Sequence, residues 1–497
     1  MPRHGVMMTS GIVNLALLGL VGWQSAGDAI ENEEKISNDN FAPGEETWEL
    51  IHKLAEAYPS TSFPLGIKTI PRLAAIQFLE KVKDLPGSPF IEKTKLHLEK
   101  ILKADRREGR LAYQHLSSPN RGVATVTGEV NPLASLDEGR FSETGNHAIV
   151  GGRFAAAVFP WLTADLAPYA LFSSHAERRE KYADLYLHRG YVKANANGFE
   201  IEVGQDTVQW GFGRQGSMAF SGEARPFPLL RLANSRPVFL PGFLEVLGPT
   251  RVDFFVTALD GDRTLPHSIL HGMKTTFQPH PRFEFGLGQS IEFGGKGSGS
   301  WNPLNYFTEK LTDDSTNRNF MLDMRWRIPG VEVEPYAELF WEDCCDAVVL
   351  NPRDTLNLFG LAIPNLGSES QADLAFEWVR TNGITYRHST YSSGFYYKHD
   401  AIGHPIGPDG MGFYGIFRYF HTPRTWWKII GAVERYGRQE PLNSEDRGRM
   451  TIDFHQGLSN RHLELRWQAG YERVMNFEFQ AGNHRNNFLL GLMLEIS

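Results

Sequence analysis

The chain has 497 residues, of which 41% are hydrophobic and 22% charged, with 49 glycines and a formal net charge of −8. That length allows one large domain and a smaller one, and the acidic balance without a Lys/Arg-rich block excludes nucleic acid as the main partner. Its only cysteines are the neighbours Cys344 and Cys345, which rules out a disulfide scaffold, and the absence of C-x-x-C and H-E-x-x-H spacing leaves no metal site or cofactor to expect.

The N-terminus has the form of an export signal over residues 1–29. Arg3 and His4 precede an apolar core from Gly11 to Trp23, and the small residues Ser25, Ala26, Gly27 and Ala29 follow. That core is short for a membrane helix, and no later window reaches the roughly 18 apolar residues that one needs. The polar, acidic residues 30–44 read as a linker. Three helical patterns follow over 45–109: Trp48, Ile51, Leu54, Ala55 and Tyr58; Leu73, Ile76, Leu79 and Val82 after Pro71; then Ile91, Leu98, Ile101 and Leu102. Each has an apolar face at three- to four-residue spacing. Ser88-Pro89 opens the third with a capping side chain and a proline in the first turn.

From 110 to 497 the period is two. Phe320, Leu322, Met324, Trp326 and Ile328 share one face, with Asp323, Arg325 and Arg327 on the other. A hairpin about Pro329-Gly330 then sets Arg327 opposite Glu332 and Arg325 opposite Glu334, with Glu338 further along the same polar face. The alternation recurs in Val252, Phe254, Val256 and Ala258; in Phe283, Phe285, Leu287, Ile291 and Phe293; in Leu463, Leu465 and Trp467; and in Leu490, Leu492, Leu494 and Ile496. Half-polar strands fit either a soluble sandwich or a membrane barrel with a polar lumen. Strand lengths near the roughly 9–11 residues of a membrane strand favour the barrel. So does the placing of nine of the eleven tryptophans after residue 150, as an interfacial girdle requires. The fold class is an all-β transmembrane barrel of antiparallel strands, about 16–18 by length, with a small N-terminal α-helical bundle.

GFGRQG, Gly211 to Gly216, has the G-x-G-x-x-G spacing of a dinucleotide site. A strand precedes it, since Phe199, Ile201 and Val203 alternate with Glu200 and Glu202, but Ser221-Gly222, Pro226 and Pro228 follow where a helix should open. The spacing is therefore no nucleotide site, and its glycines serve tight loop packing in the lumen.

The run from Gly204 to Pro237, a strand ending in Trp-Gly followed by a Ser/Asn and Arg-Pro loop, resembles a segment of the Wzi family of outer-membrane capsule assembly proteins. The segments from His388 to Phe420, with its GHPIGPDG loop, and from Leu270 to Ser290 resemble two others. The resemblance implies an eighteen-stranded barrel with a helical bundle on its periplasmic side. It also implies a lectin-like role in holding capsular polysaccharide, with outer-membrane lipid as the other partner and a monomer as the working unit. Asp206, Gln209, Trp210, Arg214, Arg225, Arg231, Asn234 and Arg236 are the candidates for saccharide contact, through an aromatic face and charged or amide groups; the same arginines could equally pair with luminal carboxylates. Arg325, Arg327, Glu332, Glu334 and Glu338 are expected to line the lumen, and His404, Gly407, Asp409 and Gly410 form the loop motif. Two other classes stay open: a diffusion porin, and an outer-membrane hydrolase built on Ser217/His188, Ser392/His388 or His404/Asp409.

Overall fold

The computed structural model describes residues 36–117, 133, 136, 138–140, 144–174, 182–298, 316–342, 355–437, 443–458 and 463–496. The expected signal segment and the Cys344-Cys345 pair lie outside them. Eighteen antiparallel strands close into one barrel. They are β1 (Arg106–Ser117), β2 (Gly145–Phe159), β3 (Leu162–Ser173), β4 (Ala183–Ala196), β5 (Phe199–Asp206) and β6 (Phe227–Asn234). Next come β7 (Pro249–Ala258), β8 (Ile269–His280), β9 (Phe283–Phe293), β10 (Asn317–Trp326), β11 (Glu334–Glu342) and β12 (Thr355–Leu366). The last are β13 (Ala372–Arg380), β14 (Gly410–Thr422), β15 (Thr425–Tyr436), β16 (Glu445–Gly457), β17 (Leu463–Met475) and β18 (His484–Ile496). Each pairs with its neighbours in sequence, and β18 closes on β1 from Phe488 opposite Ser117 to Ile496 opposite Gly109. Among the described residues the wall itself therefore has no free edge, as a sheet in lipid requires.

The period-two reading holds along the wall. Val203, Leu230, Phe376, Val433, Leu490 and Leu492 point outward and are exposed, whereas Glu202, Arg231, Glu377 and Glu434 on the same strands are buried inside. An exposed apolar band around a closed sheet with a charged interior suits lipid outside and protein or water inside. The tryptophan girdle is partial. Trp161, Trp326, Trp427 and Trp467 are exposed at the end of the barrel with the short turns, while Trp210 and Trp426 are buried in the lumen.

The hairpin after β10 departs from expectation by two residues. Arg325 pairs with Tyr336 rather than Glu334, because Ile328 to Val333 form a longer turn in which Glu332 takes a left-handed conformation (φ 56°). A slip of two keeps every side chain on its face. The charges therefore still meet, at 3.0 Å for Arg327 and Glu332 and 3.6 Å for Arg325 and Glu334.

Three helices, α1 (Glu46–Ala57), α2 (Arg72–Val82) and α3 (Pro89–Leu102), cover the short-turn mouth. Their apolar faces form a core of Trp48, Ile51, Leu54, Phe78, Leu79 and Leu98 that takes in Phe420 and Trp426 of the wall, with Phe90 and Phe420 rings 5.7 Å apart. The Ser88 hydroxyl accepts from the Ile91 amide at 3.3 Å and donates to the Glu369 carbonyl at 2.7 Å, so one side chain both caps α3 and fixes it to the turn between β12 and β13. Ser88→Ala is expected to cost about 1 kcal/mol, seen as faster hydrogen exchange at the α3 N-terminus with the wall amides unchanged.

Residues 36–44 correct the sequence reading, because they are no free linker. Asn38 and Asn40 are buried against the inside of the wall, the Asn38 amide donating to Thr163 at 2.7 Å and the Asn40 side chain to Glu202 and Asp206 at 2.9 Å.

Candidate functional site

The lumen is filled by chain that folds back into it. The segment between β5 and β6, residues 207–226, turns inward and pairs with residues 66–68 of the link between α1 and α2, Lys68 N–H to Gln209 at 2.9 Å and Gly211 N–H to Gly66 at 2.8 Å. Its Val208, Trp210, Met218 and Phe220 form an apolar core with Phe255, Phe340, Leu358 and Tyr386. Within it, GFGRQG does cradle anions, and they are the wall's own. The amides of Phe212, Gly213 and Met218 donate to the Glu338 carboxylate at 2.6, 2.6 and 2.8 Å, and the amide of Gln215 donates to Glu377 at 3.0 Å. Successive N–H groups turned toward one point form such a nest wherever the backbone can come close. Gly211 meets this need, with φ 97° and a position where a Cβ would lie 2.3 Å from a Glu338 oxygen.

A second inward segment, residues 381–409 between β13 and β14, packs on the first. The Tyr386 hydroxyl donates to the Met218 carbonyl at 2.6 Å and accepts from the His404 amide at 2.8 Å. His404 is fully buried and its Nδ1 accepts from the Ile406 amide at 3.1 Å. Gly407 and Asp409 both have positive φ, and Thr381 binds the Gly407 carbonyl at 2.8 Å and the Gly410 amide at 2.7 Å. The GHPIGPDG motif is thus a tight turn that seats the segment. Ser217 accepts from Lys68 at 2.8 Å, His188 bonds Glu138 at 2.8 Å, Ser392 bonds Thr264 at 2.8 Å, and His388 accepts from the Thr390 amide at 3.2 Å. In these contacts Ser217, His188, His388 and His404 are buried and serve packing, while Ser392 is exposed and bonds another loop.

The saccharide candidates divide. Trp210 is 1% exposed, enclosed by Phe220 and Phe255, and its indole N–H donates to Asp253 at 2.8 Å, so it offers no face to a sugar. Arg231 makes a two-pronged pair with Asp253, both contacts 2.7 Å, and lies 3.6 Å from Asp206. Arg214 bridges Glu56 of α1 at 2.8 Å and Asp373 at 2.9 Å, Arg225 lies 3.7 Å from Asp400, and Gln209 reaches Thr207. Asn234 spans Thr250 and Val252 on β7 and also binds the Arg236 carbonyl. These two residues sit at the short-turn end of β6, apart from the inward segment.

The family model for the capsule assembly protein Wzi matches residues 115–489. The chain belongs to the Wzi family. Among solved structures it is similar to an outer-membrane protein of Escherichia coli involved in group 1 capsule assembly and described as a carbohydrate-binding β-barrel. That match has a TM-score of 0.72 at 16% identity and covers 93% of this chain and 99% of that one. It is also similar to the Pseudomonas aeruginosa barrels OccD3 (TM-score 0.45, 9% identity, 79% and 91% covered) and OccK5 (0.46, 11%, 79% and 98%). No curated protein sequence matches.

In this Wzi-family chain the N-terminal strap is part of the same network, and composition gave no sign of it. The Glu45 carboxylate accepts from Arg106 and Arg153 at 2.9 Å and from Arg189 at 2.8 Å. Burial pushes its pKa up, but the three guanidiniums outweigh this and hold it at about 2, against an ordinary 4.5. A depressed carboxylate stabilises the folded state above its ordinary pKa, and that contribution is lost as pH falls through the folded value. Residues 36–45 are therefore expected to be protected from hydrogen exchange at pH 7 and to lose protection progressively between pH 4.5 and about 2, ahead of the wall. Also unforeseen were Glu377, which holds the inward segment, and Asp373 and Arg418, which tie β13 and β14 to Lys53, Glu49 and Glu56 of α1. The even separation of Asp373 and Glu377, which puts both on one face of β13, was the available signal.

Proposed function

We propose that this protein binds capsular or other exported polysaccharide and retains it at the outer face of the outer membrane, working as a monomer delivered by a signal peptide over residues 1–29. The observation that carries the reading is the filled lumen: two inward segments packed on each other, the first pinned to Glu338 and Glu377, with helices across the other mouth, suit a fixed platform for a polymer rather than a path for solutes. Family membership supports the same reading, as does the carbohydrate-binding description of the E. coli barrel. The domain plan proposed is a signal (1–29), a linker (30–44) whose residues 36–44 run along the inside of the wall, a periplasmic helical module (45–109) and the barrel (110–497). The test sets binding of the host's own surface polysaccharide to the purified protein beside single-channel conductance in planar bilayers. Saturable binding without resolved current steps is expected. Porin-sized steps without binding would overturn the reading in favour of a diffusion channel.

A further inference from the structure

The filling of the lumen is lopsided. The apolar core of the inward segments lies against β6 to β15. Two cavities adjoin it: one of about 830 Å³ toward β16–β18 and β1–β4, and one of about 200 Å³ that runs from β16–β18 and β1 across to Arg325, Tyr336, Asp373 and Arg418. Both are lined by Pro43, Gly44, Leu136 and Arg466, so they adjoin. The larger is also lined by Lys100, Asp105 and Arg107, all exposed at the short-turn rim beside the C-terminal end of α3, which makes that rim its mouth. At the opposite end an apolar cluster of Leu116, Leu133 and Leu489 adjoins the smaller cavity.

The chemistry of this space differs from that of the chain as a whole. Among the described residues, ten arginine and lysine side chains and seven carboxylates line the larger cavity, an excess of cations in a chain whose net charge is −8. Deeper in, Gln114 Oε1 and Asp453 Oδ1 line the smaller cavity on side chains 2% and 8% exposed, with no protein hydrogen-bond partner among the described residues. Buried acceptors of this kind call for donors from whatever occupies the space. Guanidiniums recognise carboxylates, and amide and carboxylate oxygens accept from hydroxyls. Inorganic phosphate would satisfy the first requirement, but it bears few donors and meets the cavity's carboxylates unfavourably. A sugar acid meets both, and the volume lies in the range of small-ligand sites.

We propose that this cavity binds a carboxylated oligosaccharide segment that enters from the short-turn mouth, so that the protein contacts an acidic polysaccharide on its periplasmic side as well as at the cell surface. The proposal rests on the polysaccharide reading and adds to it a ligand class and a second site. Arg466, which lines both cavities, and Arg424, near the mouth, are its principal contacts.

The test titrates detergent-solubilised full-length protein with oligogalacturonate, a neutral malto-oligosaccharide and inorganic phosphate, at low and high salt. Oligogalacturonate is expected to bind, to weaken with salt, and to lose about tenfold or more in affinity on Arg466→Gln and again on Arg424→Gln. Lys100→Gln, an exposed change that cannot disturb the fold, should weaken it less. Tryptophan fluorescence and heat-modifiability check that the variants are folded. Equal binding by wild type and Arg466→Gln, or displacement of oligogalacturonate by an equal concentration of phosphate, would overturn the proposal. If the host polysaccharide binds wild type and variants alike, the retention reading stands and this cavity is not the site. If no saccharide binds wild type, both fail.

Discussion

Arg231→Ala is expected to leave little folded barrel in the membrane. The Arg231 guanidinium is enclosed by Asp253, Asp206 and Glu202, and the Trp210 indole shares the Asp253 carboxylate. Truncating it strands buried carboxylates inside a wall that cannot relax toward water, at a cost of about 3–5 kcal/mol. That is a large part of the stability of an ordinary domain. The readout is the heat-modifiable folded band on unboiled gels, with its melting temperature. Arg231→Lys, which keeps the charge and loses the two-pronged geometry, should fall between. Arg231→Met with Asp253→Leu should recover part of the loss, since no charge of that pair then stands alone. An Arg231→Ala barrel of normal stability that released its polysaccharide would show that Arg231 serves recognition instead.

The second large effect concerns the two closures. Removing residues 46–102 takes away the helices over the short-turn mouth and the chain at 66–71 that pairs with the strap and the inward segment, and uncovers Phe420 and Trp426, yet leaves every pairing of the barrel wall intact. The segment 207–226 stays pinned at Glu338 and Glu377 and the segment 381–409 stays packed on it, so conductance is expected to remain below resolved steps. Replacing both inward segments, 207–226 and 381–409, by short Gly-Ser turns as well should release steps of porin size, because an unfilled barrel of about 16–18 strands holds an aqueous channel. Large steps from the first deletion alone would mean that the inward segments do not seal. None from the combined deletion would point to a third closure.

The wall was legible because lipid on one side and charge on the other impose a period of two that a single sequence displays. Register was legible only to its parity: the hairpin at Pro329-Gly330 moved by two residues when Glu332 joined the turn, and nothing in the alternation penalises that. The strap at 36–44 was misread because polarity ordinarily signals exposure, and in a barrel the interior is the polar side. Asn38, Asp39 and Asn40 are polar for the reason that leucines are apolar in a soluble core. Trp210 and Arg231 show the limit on the site. A saccharide and a packed lumen draw on the same side chains, and only burial separates the two uses.

The N-terminal chain also acts as a strut. It is fastened to β3–β5 through Asn38 and Asn40, to β7 where Arg251 holds the carbonyls of Ile67 and Thr69, to β9 where Glu284 takes the amides of Leu65 and Gly66, to β13 through Lys53 and to β14 through Glu49 and Glu56. These anchor points are spread around the circumference, so the wall is cross-braced against flattening. Tension on the outward loops passes through Tyr386 to Met218 and through Gly211 to Gly66, and from there to separate sectors of the wall. A pull applied at one loop is carried by the whole ring instead of peeling a single hairpin from the membrane.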